Sequence, residues 1–310
     1  MKSDTQMVRP LRSLLFIPGD SDKKIGKAAA SGADAVIFDL EDAVAPENKG
    51  DARARVAAFL LATLPTERPL QYWVRVNPYD TDLTLADLAA VMPGRPDGIM
   101  QPKIDGPRDV ERLSLHLDAF EAAFGVELGS TGIIPVATET ARAPFALGDF
   151  AHVPLARLRG LTWGAEDLAT ALGASTNRGP DGDWAFAFRT VRSLTLLAAH
   201  AAGVPAIDTL HADFRDETGL RALSIAARAE GFAGRLAIHP AQVAAINESF
   251  SPSPVEVEHA RRVLAAFTTA PGAGTVALDG RMLDIPHRKQ AERIVAEADA
   301  FAAPSARQDP

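Results

Sequence analysis

Eight short runs of apolar and β-branched residues alternate along this chain with longer amphipathic or alanine-rich stretches, and that rhythm limits the possible fold more than any other feature. The runs are residues 13–17, 35–39, 71–76, 98–101, 132–136, 158–162, 204–208 and 236–238. Strands alternating with helices predict a parallel sheet covered by helices. Eight such units are the count of a closed (β/α)8 barrel, the TIM barrel. An open doubly wound sheet shares the alternation but carries a Gly-rich phosphate turn after its first strand. Here Phe16-Ile17-Pro18-Gly19-Asp20 has no G-x-G-x-x-G. The (β/α)8 barrel is therefore the expected fold.

The connecting segments carry matching punctuation. Ser21 and Asp22 are placed to cap a helix over 23–30, Pro46 to start one reaching Leu64, and Gly106-Pro107 to open one reaching Phe124. Outer helices are expected over 184–201 and 213–230. Ser251-Pro252-Ser253-Pro254 reads as a linker, so a barrel over 11–250 and a C-terminal extension with a lid over 251–310 are expected. Within the extension, 275–278 and 281–283 read as a hairpin turning on Asp279-Gly280, a pair suited to a type I′ turn. Helices over 255–269 and 286–301 flank it, and a polar tail that frays is expected after them.

At 310 residues and 47% hydrophobic composition, the chain can bury one large core. A formal charge of −8 with no dense Lys/Arg block argues against a nucleic-acid partner, which needs a broad cationic surface. No apolar run approaches the roughly 18 residues of a membrane span. The polar start leads into the first strand without a signal-peptide pattern, so a cytoplasmic location is expected. The absence of cysteine excludes disulfides, thiolate nucleophiles and cysteine-ligated metal centres.

In a (β/α)8 barrel the C-terminal ends of the strands build the active site. Several charged residues fall there. Asp39, Glu41 and Asp42 close the second run, Arg75 lies in the third, Lys103 follows the fourth, Glu139 the fifth and Asp167 the sixth. Glu139 and Asp167 are hard oxygen donors with no accompanying His or Cys pattern. Such a pair suits a magnesium ion, with manganese as an alternative, that keeps several waters and completes its shell with substrate. Read singly, each is also a carboxylate at a helix start.

Arg75 would point from a buried strand to the mouth, where its planar fork suits a carboxylate or a thioester-derived oxygen. A buried ion pair with Asp39 or Glu41 is compatible with that role. Asp39, Glu41 and Asp42 are candidates for orienting metal-bound waters or Arg75 itself. Lys103 offers a second cation for substrate. A Schiff-base role is open to it, but the carboxylate pair favours metal-assisted chemistry. Phe16, Pro18 and Gly19, at the end of the first run, are expected to shape the substrate path, although Pro-Gly is also an ordinary turn.

Seven segments also carry a family resemblance: residues 12–19 (RSLLFIPG), 38–44 (FDLEDAV), Val74-Arg75-Val76-Asn77, Pro102-Lys103, Glu139-Thr140-Ala141, Gly164-Ala165-Glu166-Asp167-Leu168 and Ile238-His239-Pro240. In this order and spacing the chain resembles the citrate lyase β-subunit-like (CitE-like) proteins of the HpcH/HpaI aldolase family, from about residue 11 to 300. The resemblance implies a (β/α)8 barrel assembled as a homotrimer or as a hexamer built from two trimers. It implies magnesium-dependent cleavage or formation of a carbon–carbon bond in a β-hydroxyacyl thioester. Glu139 and Asp167 become the implied metal ligands, and Arg75 the group that holds the substrate and the developing enolate.

Residues 282–291 (MLDIPHRKQA) are similar to the C-terminal lid of malyl-CoA and citramalyl-CoA lyases. That similarity implies a catalytic Asp284 reaching a neighbouring subunit's site, whereas without it Asp284 reads as a helix-capping aspartate. The implied partners are an acyl-CoA such as citramalyl-CoA or malyl-CoA and a 2-oxo acid, with acetyl-CoA or propionyl-CoA as co-product. Two alternatives remain: hydrolysis of a CoA thioester on the same scaffold, and a citrate lyase β-subunit-type component acting on a carrier-bound citryl thioester.

Overall fold

A computed structural model describes residues 10–302; residues 1–9 and the tail expected to fray lie outside the described residues. The chain divides into two compact units, Leu11–Asn247 and a second unit beginning at Glu248.

The first unit holds eight parallel strands: β1 Ser13–Pro18, β2 Ala35–Asp39, β3 Gln71–Arg75, β4 Gly98–Gln101, β5 Gly132–Pro135, β6 Leu161–Thr162, β7 Ala206–Asp208 and β8 Gly234–Ala237. Between them lie α1 Asp22–Ile25, α2 Lys49–Ala62, α3 Thr84–Val91, α4 Pro107–Phe124, α5 Ala143–Ala146, α6 Ala165–Leu172, α7 Phe186–Ala201 and α8 Glu217–Glu230, with α9 Ala241–Phe250 following β8. Hydrogen-bonded neighbours run β5-β4-β3-β2-β1-β8-β7-β6. Parallel bridges Ile133↔Leu158 and Val136↔Thr162 join the two ends of that order. The sheet is thus a (β/α)8 barrel.

Closure explains the shortest strand. Between the two bridges the β5 side advances three positions and the β6 side four, so one extra residue sits on the β6 side as a bulge. The expected strand over 158–162 is therefore regular only at Leu161–Thr162. The expected helix over 23–30 is also cut short. It ends at Ile25, Ser21 makes no side-chain cap, and Asp22 pairs with Arg55 instead.

The barrel interior is packed rather than hollow. Leu14, Ile37, Trp73, Met100, Ile134 and Ile207 meet there from different strands. Trp73 needs glycine neighbours: a Cβ on Gly98, its register partner on β4, would overlap the indole ring, and one on Gly132 would stand 3.1 Å from it. On the outer face, Phe38 and Tyr72 pack edge-to-face at 5.5 Å, and Phe38 meets Phe59 of α2 at 5.3 Å.

In the second unit, α10 Pro254–Thr268 starts at a capping box between Ser253 and Glu256, inside the expected linker. Strands β9 Thr275–Leu278 and β10 Arg281–Asp284 form the expected hairpin, with Asp279 and Gly280 both at positive φ, as a type I′ turn requires. Helix α11 Ile285–Ala302 follows, and Val263, Phe267, Leu283 and Ala291 form the core of this unit. Among the described residues no helix is long and apolar enough to cross a membrane.

Candidate active site

Alternation along the strands places charged side chains above the apolar interior. Ala35 and Ile37 face the barrel core, so Asp39, two residues on, points the same way at the mouth; Arg75 stands in the same relation to Trp73. Asp39 and Arg75 are register partners on β2 and β3. The guanidinium donates from Nε to Asp39 Oδ1 at 2.8 Å and from Nη2 to Oδ2 at 2.7 Å, while Nη1 lies 2.9 Å from Glu41 Oε2. The Phe16 ring covers it at 4.8 Å. Burial alone would lower the pKa of Arg75, but Asp39, Glu41 and Glu139 outweigh that and hold it fully charged.

Asp39 is itself fixed, since its carboxylate accepts the N–H of Glu41 at 3.0 Å and of Ala43 at 3.1 Å. The turn that carries Glu41 is tied down by Lys49, whose Nζ donates to the carbonyls of Leu40 and Glu41, each at 2.9 Å. Asn77 holds the β3 side. Its amide Nδ2 donates to Leu40 O and to the buried Asp87, which also accepts from Arg53. Neither Asp87 nor Arg53 stands out in the sequence, because both are single charges in helical stretches.

Lys103 lies two residues past β4 in the left-handed backbone region, at φ 50°. That conformation presents its N–H to Glu139 Oε2 at 2.7 Å, while its Nζ pairs with Glu41 and lies 2.9 Å from Asp42 and 3.5 Å from Asp167. Burial pulls the amine's pKa down, yet these carboxylates outweigh it and keep the amine protonated. A Schiff-base nucleophile must be neutral, so the lysine is placed as a cation.

Glu139 is 6% exposed. It does not cap a helix, since the next one starts at Ala143. Burial, then the charges of Asp167 and Glu41, push its carboxyl up to about 8, against the pull of the Lys103 N–H and Arg75. A Cβ on Gly164 would come within 2.8 Å of Glu139 Oε1, so this glycine leaves room for the carboxylate. Asp167 lies in the first turn of α6, is partly exposed, and acts on Glu139 as a like charge.

Five carboxylates, Asp39, Glu41, Asp42, Glu139 and Asp167, therefore stand around two cations, Arg75 and Lys103. Asp167 opposes the charge of Glu139, and a divalent cation held by both would relieve that opposition. Among the described residues no group of three or more His, Asp or Glu is arranged around a single ion position. Two hard carboxylates are donors of the kind that suit an ion taking most of its shell from water and substrate, as magnesium does.

The remaining expected site residues divide. Pro18 ends β1 beside Asp39 in register. Gly19 is buried by packing: its N–H donates to Asp39 O at 2.9 Å, and a Cβ would lie 2.8 Å from that oxygen. Asp284 belongs to the second unit, at the junction of β10 and α11. It is half-exposed, and its Oδ1 meets both the ring Nδ1 and, at 3.5 Å, the N–H of His287. The capping geometry is present, and the hydrogen bond from His287 holds the carboxyl below its usual range.

Fold and mouth together define a class, the (β/α)8-barrel enzymes with a carboxylate-rich catalytic rim. Residues 12–240 match the HpcH/HpaI aldolase/citrate lyase family, and residues 205–303 match the C–C bond lyases of the TIM-barrel fold. The chain belongs to the HpcH/HpaI aldolase/citrate lyase family, a family of lyases, and is an enzyme of that type.

The chain is 38% identical to a (3S)-malyl-CoA thioesterase of Cereibacter sphaeroides, over 95% of this chain and 96% of that protein. It is 34% identical to the mitochondrial citramalyl-CoA lyase of Rattus norvegicus, over 94% and 87%. Among solved structures, CitE of Mycobacterium tuberculosis in complex with magnesium, acetoacetate and coenzyme A superposes with a TM-score of 0.76 at 34% identity, covering 94% of this chain and all of that one.

Proposed function

We propose that this enzyme cleaves a β-hydroxyacyl-CoA of the malyl-CoA or citramalyl-CoA kind, reversibly and with magnesium, into a 2-oxo acid and acetyl-CoA or propionyl-CoA. The observation that supports the reading is the buried Glu139 carboxylate, whose charge Asp167 opposes at the same mouth. In this reading Glu139 and Asp167 hold the ion, which when bound supplies Lewis-acid polarisation of the substrate's hydroxyl and carboxylate oxygens.

The chain's own residues supply the rest. Asp39 and Glu41 fix Arg75 so that its free N–H directions point to the negative charge that develops on the thioester oxygen. The bond between the hydroxyl-bearing carbon and the thioester α-carbon breaks, and the electron pair moves onto the thioester as an enolate. The hydroxyl gives its proton to water and becomes the carbonyl of the oxo acid. Asp284 of a neighbouring subunit in a homotrimer or hexamer, after taking up a proton from water, delivers it to the α-carbon, and in the reverse direction the carboxylate removes it. Lys103, Phe16 and Pro18 bound the substrate, Lys103 as the cation for its carboxylate.

A second reading is hydrolysis of the thioester, favoured by the 38% identity to a malyl-CoA thioesterase. Incubating the purified enzyme with magnesium and a panel of malyl-, methylmalyl- and citramalyl-CoA separates the two. Release of a 2-oxo acid with the acetyl or propionyl thioester intact supports the lyase; free CoA with intact hydroxy acid supports the hydrolase. Turnover of none of them contradicts both.

A further inference from the structure

A cleft of about 410 Å³ lies among residues of α7, α8 and the segment after β7, and the proposed chemistry does not use it. Its volume falls in the roughly 300–1,000 Å³ range of small-ligand sites. Four arginines, Arg178, Arg189, Arg192 and Arg235, line it beside three acids, Asp183, Asp208 and Glu230.

Asp208 ends β7 and is fully enclosed. It accepts from the Trp163 indole at 2.8 Å and the Thr209 N–H at 2.9 Å, and it faces Arg235 at 2.7 Å and Arg192 at 3.1 Å. One carboxylate thus serves two guanidiniums. Arg178 brings a third, stacked on Trp184 with its carbon 3.4 Å from the ring centroid. Its guanidinium donates from Nη1 to Gly182 O at 3.4 Å and feels the charges of Asp183, Glu166 and Asp208. Burial lowers the pKa of Arg235 against the pull of Asp208, and the like charges of Arg192 and Arg178 lower it further. The carboxylates at the rim, Glu230 beside Arg192 and Asp183 at 3.6 Å from Arg189, are half-exposed and screened by water.

The donors are also left over. Arg235 Nε and both ring nitrogens of His211 are buried without a hydrogen-bond partner, although the Asp216 carboxylate lies 3.4 Å from His211 Nε2. Unpartnered buried polar atoms are costly, and an oxyanion would accept from Arg235 Nε and from whichever His211 ring nitrogen carries its proton, through charge-assisted hydrogen bonds. We propose that this cleft binds a small oxyanion, a phosphate or carboxylate group, at a site separate from the barrel mouth. The two sites are linked by the chain. Asn177, next to Arg178, donates to Glu166 Oε1 at 2.9 Å, and Glu166 precedes Asp167.

The test is calorimetric titration of the full chain, free of divalent metal and at constant ionic strength, with inorganic phosphate and separately with malonate. Saturable one-site binding of either is expected, tighter phosphate marking a phosphate ester as the ligand and tighter malonate a carboxylate. Arg178→Gln removes one of the cleft's cations, and Ser193→Glu places a negative charge in the cleft from an exposed position on α7. Each is expected to weaken binding at least about tenfold while circular dichroism stays unchanged. Absence of saturable binding overturns the proposal, as does binding that neither variant weakens.

Discussion

Asp39 and Arg75 are register partners on adjacent parallel strands, and their side chains close a two-hydrogen-bond fork at the barrel mouth. The fork orients the Arg75 guanidinium and takes its partner from the neighbouring strand. Asp39→Ala leaves Arg75 largely buried with one acid fewer, and the loss of a buried partner costs about 3–5 kcal/mol. Urea unfolding of the variant is expected to show a destabilisation of that order. A change within experimental error would mean that the pair does not hold the mouth together.

Arg75→Lys keeps the charge and loses the planar fork. Removing a donor aimed at developing charge costs about 100-fold to 1,000-fold in kcat. Steady-state kinetics should show a loss of that order in kcat with a smaller change in KM. A variant that raises only KM would assign Arg75 to ground-state binding.

Gly164→Ala tests the cradle around Glu139. The added methyl would crowd the carboxylate at 2.8 Å and tilt it away from Asp167. Changes to groups supporting a metal ligand typically cost about 10–100-fold in metal affinity. Magnesium activation of the variant is therefore expected at roughly tenfold higher concentration, with the melting temperature little changed. An unchanged magnesium dependence would count against Glu139 as a ligand.

The second unit gives a prediction on Asp284. His287 holds its carboxyl below the usual range, so His287→Ala lets the pKa rise. In the pH profile of kcat, the limb that reports this carboxyl is expected to move to higher pH. Asp284→Asn is expected to lower kcat by about 100-fold to 10,000-fold. A profile unmoved by His287→Ala would leave His287 as a helix-end contact with no bearing on the proton.

Acid stability has a separate source, on the far side of the strands from the core. Glu121 of α4 is buried. Burial pushes its pKa up, but the Arg157 guanidinium and the N–H groups of Thr131 and Gly129 outweigh it and bring it to about 2. A folded-state value below the ordinary 4.5 means a contribution fully present above that pH, lost as the pH falls toward about 2. Glu121→Gln should lower stability at neutral pH and flatten its decline between about pH 4.5 and 3. An equally steep decline in the variant would place the acid sensitivity elsewhere.

The barrel was legible because each strand is a short, nearly continuous apolar run, and β2 ends at Asp39 where that run stops. β6 was not, because its bulge depends on pairing with β5, a relation no local pattern carries. The charged residues of the mouth were legible by position alone, at the ends of strands. Their mutual arrangement was not. The Lys103 N–H reaches Glu139 only through a left-handed backbone at a lysine, where sequence favours glycine or asparagine. Gly164 and Asp87 support the site from positions that read as an ordinary turn and an ordinary helix. The reading of Asp284 as a helix cap agrees with its contacts to His287, and the catalytic role proposed for it rests on family resemblance.

The central claim is that Glu139 and Asp167 jointly hold one divalent ion. Electron paramagnetic resonance of manganese, titrated into the purified enzyme and into Glu139→Gln and Asp167→Asn, measures this without recourse to turnover. One bound ion per chain is expected in the parent, with at least about a hundredfold weaker binding in each variant. Binding by either variant as tight as by the parent would contradict the account.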